Sequence, residues 1–118
     1  MSVAQIKTRT VEGVAVIYPG PYLNQLRGEI LERHCEELLR QGVLKIVVNF
    51  SETELINSIG ISILLGVIEA VNENQGSLVL CGLSDSNREL FEMLGLMSHI
   101  EVGQTEEEAL LKLNSELV

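Results

Sequence analysis

One stretch of the sequence, residues 49–65, places a serine where it could do chemistry. An apolar run ends at Phe50, a polar loop follows, and an almost wholly apolar helical pattern begins at Ser58. The first turn of a helix leaves about four amide N–H groups unpaired and carries partial positive charge. Ser58 could therefore cap the helix, or it could be a phosphorylation site whose phosphate these amides receive. The two roles are compatible, since one serine can cap a helix until it is modified.

Other residue types associated with catalysis do not form a set. Ser58 lacks the Gly-x-Ser-x-Gly pattern of a serine nucleophile, because Ile56 stands where the first glycine should be. His34 and His99 fall in unrelated predicted elements, and no glycine-rich phosphate loop followed by lysine is present. The sequence therefore predicts a protein that is not an enzyme and that uses no cofactor or metal.

The composition argues against nucleic acid and membranes as partners. The net charge is −9, and no Lys or Arg occurs between Lys45 and Arg88. A basic patch is the first requirement for either partner, and aromatic residues for base stacking make up only 3% of the chain. The acidic middle of the chain either serves solubility or forms a surface for a basic partner.

Length and the remaining composition indicate one cytoplasmic domain spanning 1–118. Cys35 and Cys81 match no metal spacing and are typical of small buried hydrophobic residues. The N-terminus lacks the pattern of a secretory signal. The longest uncharged stretch, Leu55 to Ile68, has 14 residues, which is short of the roughly 18 of a spanning helix, so we expect no membrane insertion.

The first half of the chain predicts a hairpin followed by a helix. Residues 5–10 and 14–18 read as two strands joined by a tight connection at Val11, Glu12 and Gly13. Apolar residues recur at helical spacing from Leu26 to Gln41, and Gly42 is a natural stop.

The second half predicts a βαβ unit. The unbroken apolar runs in residues 45–50 and 77–81 suit strands covered on both faces, with a helix over 58–74 between them. The two strands should be parallel with a right-handed crossover. Apolar residues of the helix wrap more than one face, so either the rest of the chain covers it or a partner meets part of it.

The end of the chain predicts two more helices and a short strand. Ser84 can cap a helix that ends near Leu94, and a strand follows over 100–102. Thr105 and Glu108 match a capping box that opens a last helix. The apolar face of that helix consists of Leu110, Leu113 and Leu117.

The five residues Asn57-Ser58-Ile59-Gly60-Ile61 resemble the signature of the STAS family, Asp-Ser-Ser/Ala-Gly-Leu/Ile at the start of a helix. The order and lengths of the predicted elements are also similar to that family from Gln5 to about Leu113. The resemblance implies an α/β, STAS-like mixed sheet of four to five strands with an N-terminal hairpin, a parallel βαβ unit and about four helices.

In stand-alone members of that family, the role is partner switching, and the resemblance implies the same here. The partner would be an anti-sigma factor with serine kinase activity, which would phosphorylate Ser58 and so end the interaction, and a phosphatase would reset it. ATP would belong to the kinase. Expected partner-binding residues are Asn24, Asn57, Ser58, Ile59, Gly60 and Ile61. The free chain would be a monomer or a weak homodimer.

Three positions depart from the family pattern in the same way. Asn57, Asn49 and Asn24 stand where the family commonly has aspartate, and Ile59 replaces a small residue. An amide can accept a hydrogen bond but cannot take a proton from a neighbouring hydroxyl. Two outcomes stay open. Ser58 is still phosphorylated, or the chain is a non-phosphorylated STAS subunit or scaffold of a membrane transport or stress-sensing complex.

Overall fold

The structure, a computed structural model, describes residues 6–115. It begins with the predicted hairpin, in which β1 (Lys7–Val11) pairs antiparallel with β2 (Val14–Tyr18). The turn residues Glu12 and Gly13 both have positive φ, as a two-residue hairpin turn matched to the strand twist requires. Gln5, at the start of the predicted first strand, lies outside the described residues.

The main sheet has five strands in the order β1-β2-β4-β6-β7. The later strands are β4 (Lys45–Asn49), β6 (Ser77–Cys81) and β7 (Glu101–Gly103). All pairs after the hairpin are parallel, including β4 with β6, so the mixed sheet and the βαβ unit are confirmed. A second sheet was not predicted. It consists of β3 (Tyr22–Leu23) and β5 (Leu55–Ile56), which pair in parallel.

Four helices surround the main sheet, as predicted. They are α1 (Gln25–Arg40), α2 (Ser58–Glu73), α3 (Asp85–Met93) and α4 (Glu106–Ser115), with a 3₁₀ turn at Met97–His99 before β7. None of these described helices is long and apolar enough to cross a membrane.

Apolar residues of the sheet pack into one core on each face, which explains the unbroken apolar runs of its central strands. On one face, Ile46 and Val48 of β4 belong to the large core that α1, α2 and α3 complete. On the other face, Val47 packs in a smaller core with Ala109 and Leu113 of α4. Leu117, predicted on the same face of the last helix, lies outside the described residues.

The helix caps follow the sequence closely, with one difference. Ser84 caps α3 by accepting a hydrogen bond from the amide of Asn87 at 3.1 Å. Thr105 accepts from the amide of Glu108 at 3.1 Å, as in a capping box. The returning bond runs from the amide of Gln104 to Glu108 Oε1 at 3.0 Å, one residue earlier than the motif predicts.

Candidate functional site

Ser58 is the first residue of α2 and is exposed, but it is not the N-cap. Asn57 takes that role: its backbone is extended, and its Oδ1 accepts a hydrogen bond from the amide of Gly60 at 2.7 Å. The capping role considered for Ser58 is therefore wrong, because the preceding amide side chain already occupies it. Within residues 6–115 the Ser58 hydroxyl has no hydrogen-bond partner, and the residue is exposed.

The small sheet brings two helix N-termini to the same place. Strand β3 leads through Asn24 into α1, and β5, its parallel neighbour, leads through Asn57 into α2. Asn24 caps α1 as Asn57 caps α2, accepting from the amide of Arg27 at 3.0 Å. Neither helix has an acidic residue in its first turn. Two partially positive helix ends therefore lie side by side with neutral caps, which favours an anion bound there.

Gly60 allows α2 to approach β3 closely. A Cβ atom at this position would lie 2.3 Å from the carbonyl oxygen of Leu23. The same carbonyl accepts a hydrogen bond from the amide of Asn57 at 3.1 Å. The start of α2 is thus fixed against β3 by backbone contacts that any side chain at Gly60 would disrupt.

Exposed apolar side chains of the small sheet and of the first turn of α2 lie near Ser58. The exposed fraction is 42% for Tyr22, 61% for Leu55 and 48% for Ile59. Tyr22 pairs with Leu55 across the small sheet, and the Tyr22 hydroxyl lies 3.4 Å from Asn57 Nδ2, which donates to it. We call these five residues, Tyr22, Leu55, Asn57, Ser58 and Ile59, the Ser58 surface.

Not all of the predicted partner-binding residues can face a partner. Gly60 is buried and Ile61 is only 4% exposed, so both lie beneath the Ser58 surface and support it. Asn24 is half-buried and is the N-cap of α1, while Ser58 and Ile59 are exposed. Most other apolar side chains of α2 are buried or half-buried, so the chain itself covers most of the apolar surface of this helix and leaves Ile59 outward.

The loop before β5 is held by buried polar contacts that sequence reasoning missed. The Thr53 hydroxyl donates to the carbonyl of Gly20 at 2.6 Å, and Asn87 Nδ2 donates to the carbonyl of Thr53 at 3.3 Å. The amide of Glu54 donates to the carbonyl of Pro21 at 2.8 Å. These bonds connect segments more than thirty residues apart in sequence and fix the loop that carries β5 to Ser58.

Asn49 belongs to a second polar cluster, on the α4 side of the sheet. Its Nδ2 donates to Glu106 Oε1 at 2.9 Å, and its Oδ1 accepts from the amide of Ser51 at 2.8 Å. The Tyr18 hydroxyl also donates to Glu106 Oε1, at 2.5 Å, and Arg9 forms an ion pair with Oε2. A carboxylate at position 49 could accept from Ser51 but could not donate to Glu106, so asparagine fits this site.

The histidines and cysteines form no second site. His34 Nε2 lies 2.8 Å from the Thr8 hydroxyl, and burial lowers the pKa of His34. Burial raises the pKa of Cys35 to about 12 and of Cys81 to about 11, so both remain thiols at neutral pH. Across residues 6–115, no group of three His, Cys, Asp or Glu residues is placed to hold a metal ion.

Comparison with known proteins shows similarity to regulators of sigma factors. The anti-sigma-B factor antagonist of Staphylococcus aureus is 28% identical over 99 residues, covering 84% of this chain and 92% of that protein. An anti-sigma factor antagonist from Mycobacterium paratuberculosis has a similar structure, with a TM-score of 0.81, 18% identity and 93% of both chains covered. The Bacillus cell fate determinant SpoIIAA, solved in its phosphorylated form, gives a TM-score of 0.70 at 23% identity over 91% of this chain and 97% of that one.

The fold agrees with these likenesses: a five-stranded mixed sheet with an N-terminal antiparallel hairpin and four helices. The homologues are anti-sigma factor antagonists, which are regulators and not enzymes, in agreement with the prediction from sequence. The family model of the STAS domain matches residues 5–109, which is most of the sequence. The chain belongs to the STAS domain family and resembles its anti-sigma factor antagonists.

Proposed function

We propose that this protein is a cytoplasmic anti-sigma factor antagonist whose binding is switched by phosphorylation of Ser58. The partner anti-sigma factor would itself be the kinase, and a phosphatase would restore the binding form. One observation carries the proposal: the Ser58 hydroxyl is exposed, it does not cap the helix because Asn57 does, and exposed apolar side chains lie near it.

The unphosphorylated Ser58 surface has the character of a binding site. Tyr22, Leu55 and Ile59 are each exposed by more than 40% and would lose contact with water against an apolar patch of a partner. Burial of apolar area contributes roughly 25 cal/mol per Å². Because Gly60 and the small sheet hold the backbone, little conformational entropy is lost on binding.

Phosphorylation would weaken partner binding at the same surface. A phosphate adds about −1.5 to −2 charges, and a partner would have to desolvate that charge among apolar side chains. In the free protein, the N-termini of α1 and α2 would stabilise the phosphate, since both lack acidic residues in the first turn. The modified protein would therefore stay folded while its contact surface becomes charged.

The neutral cap at Asn57 supports this switch. An aspartate there would place a second negative charge beside the phosphate, whereas the amide of Asn57 keeps its capping bond without adding repulsion. Glu52 and Glu54 are the exposed acidic residues of the preceding loop, so the site is not free of carboxylates, but none lies in the first turn of α2.

The proposal is tested by calorimetric titration of the anti-sigma factor into the wild type and the variants Ser58→Ala and Ser58→Asp. We expect Ser58→Ala to bind like the wild type and Ser58→Asp to bind more weakly by about tenfold or more. Ser86→Asp is the matched control, since it adds the same charge to the exposed first turn of α3. Equal binding by all four proteins would refute the switch.

A second candidate function is a STAS subunit or scaffold of a membrane transport or stress-sensing assembly that is never phosphorylated. The observation in its favour is that Asn57 cannot take a proton from Ser58, so the residue before the serine cannot act as a base. Incubation with the anti-sigma kinase and ATP separates the two functions. Phosphate on the wild type supports the switch, whereas phosphate on Asn57→Asp alone supports the unswitched subunit.

A further inference from the structure

A groove runs between α1 and α2 along their C-terminal halves, away from the Ser58 surface. Its floor is apolar and is made by Leu39, Val67 and Ala70, with Gly66 at one end. Its α1 wall carries Glu32 and Glu36. From Gly66 to Asn74 the groove spans eight residues of helix, which is about 12 Å or two turns.

Glycines explain why the helices touch at one end and leave a groove at the other. A Cβ atom at Gly28 of α1 would lie 3.0 Å from Ile63 of α2, so these helices are in direct contact there. A Cβ atom at Gly66 would have no described atom within 4 Å, and Gly66 is exposed. The missing side chain at Gly66 therefore leaves open space above the helix.

Contacts within the chain do not explain Gly66. A glycine inside a helix costs about 0.5–1 kcal/mol relative to alanine. Gly28 and Gly60 are required by their neighbours, Ile63 and the Leu23 carbonyl. Gly66 has no such neighbour among residues 6–115, so no contact within the described part of the chain requires its small size, and the space above it is open to a molecule from outside.

The charges around the groove favour a basic occupant. Glu32 and Glu36 line one wall, and α2 ends at Glu73 with no basic residue in its last turn, where a helix favours cations. Arg40, at the far end of the groove, pairs with Glu37 at 2.5 Å. A second copy of this chain, with a net charge of −9, would be repelled.

The floor itself is uncharged. Cys35, which contributes to it, remains a thiol at neutral pH because burial raises its pKa to about 12. The groove therefore combines an apolar floor with an acidic wall, which complements a helix that has apolar residues on one face and Lys or Arg beside them.

We propose that the α1–α2 groove binds a cationic amphipathic helix of a partner protein. The backbone of that helix would approach closely over Gly66 and Ala70, and its basic side chains would face Glu32 and Glu36. The interaction does not use the Ser58 surface, so it is independent of the phosphorylation switch.

The experiment is an NMR titration of the ¹⁵N-labelled full chain, with calorimetry in parallel. The probe is a designed amphipathic Leu/Lys helical peptide of about 18 residues, and the matched control peptide has Glu in place of Lys. We expect the Leu/Lys peptide to bind and to shift the amide signals of Gly66, Ala70 and Glu36, and the Leu/Glu peptide not to bind. Binding should weaken as salt increases.

Variants locate the binding. Gly66→Met fills the groove, and the double variant Glu32→Gln/Glu36→Gln removes the acidic wall, so each should weaken binding by about tenfold. Glu89→Gln/Glu92→Gln makes the same charge change on the exposed face of α3 and should bind like the wild type. Ser58→Asp should also leave the affinity unchanged. Gly66→Ala, which improves helix propensity, checks that position 66 tolerates a side chain.

Three results would each overturn the proposal. The Leu/Glu peptide could bind as well as the Leu/Lys peptide, or the control pair on α3 could weaken binding as much as the pair on α1. The free protein could also be a dimer in sedimentation velocity that Gly66→Met dissociates, in which case a second copy occupies the groove. If Gly66→Met does not fold, the proposal is tested by the double variant Glu32→Gln/Glu36→Gln, and unchanged peptide binding by that variant would overturn it.

Discussion

The N-termini of α2 and α4 are built in opposite ways. Helix α4 starts with Glu106, Glu107 and Glu108 in its first turn, and Glu106 is held by Tyr18, Asn49 and Arg9. Helix α2 starts with a neutral cap and exposed Ser58 and Ile59, and no acidic residue lies in its first turn.

The difference separates a structural helix end from one available for regulation. The partial positive charge of α4 is satisfied by carboxylates of the same chain, and one of them ties the helix to the sheet. The partial positive charge of α2 has no such partner in its first turn, so a phosphate on Ser58 would supply the missing anion. Three predictions test this contrast.

The largest effect on stability is expected for Gly60→Val, which disrupts the close packing of α2 on β3. The added Cβ would overlap the Leu23 carbonyl oxygen, at 2.3 Å, and backbone cannot move aside as a flexible side chain can. We expect the free energy of unfolding to fall by about 3 kcal/mol or more in thermal or denaturant unfolding. Gly66→Ala is the matched control and should not destabilise the protein. Wild-type stability of Gly60→Val would contradict the close approach.

The same change, Asn→Asp, should have opposite effects at the two helix ends. Asn49→Asp removes the donor to Glu106 and places two carboxylates together, which should destabilise the protein by about 1–3 kcal/mol. Asn57→Asp keeps the capping acceptor and adds charge at a helix N-terminus, which should stabilise it by about 0.3–1 kcal/mol.

Denaturant unfolding at neutral and mildly acidic pH measures the free energy of unfolding of both variants. The penalty for Asn49→Asp should shrink as the pH falls, because one of the two carboxyl groups can then take up a proton and donate to the other. A loss of stability for Asn57→Asp as large as that for Asn49→Asp would show that the N-termini of α2 and α4 are electrostatically alike.

The smallest effect on stability is expected for alanine substitutions at the cap residue, Asn57, and at the serine beside it. Asn57→Ala removes the acceptor of the Gly60 amide and should cost about 1 kcal/mol of stability. Ser58→Ala removes an exposed hydroxyl that caps nothing, so it should change stability by less than about 0.5 kcal/mol. Thermal unfolding of Asn57→Ala and Ser58→Ala under the same conditions measures the two losses of stability. A larger loss for Ser58→Ala than for Asn57→Ala would show that Ser58 is the cap.

The main sheet and helices could be predicted because their signals are local and long. The apolar runs at 45–50 and 77–81, the helical spacing from Leu26 and the cap at Ser84 each show in a single stretch of sequence. The small sheet could not be predicted, since β3 and β5 have two residues each and show no periodicity.

The details of the site could not be predicted from the sequence, because they depend on the three-dimensional structure. Asn57 and Ser58 are both good capping residues, and only the start of the helix shows which one accepts from Gly60. The cluster around Glu106 joins residues 57 and 88 positions apart, so no sequence pattern connects them. The burial of Ile61 beneath Ile59 likewise depends on how α2 meets β3.

Phosphorylation of Ser58 is tested most directly by the intact mass of this protein purified from the cells that naturally make it, followed by peptide mapping. We expect a fraction of the molecules to carry one phosphate, located on Ser58. An unmodified Ser58 under several growth conditions, or a phosphate located elsewhere in the chain, would contradict it.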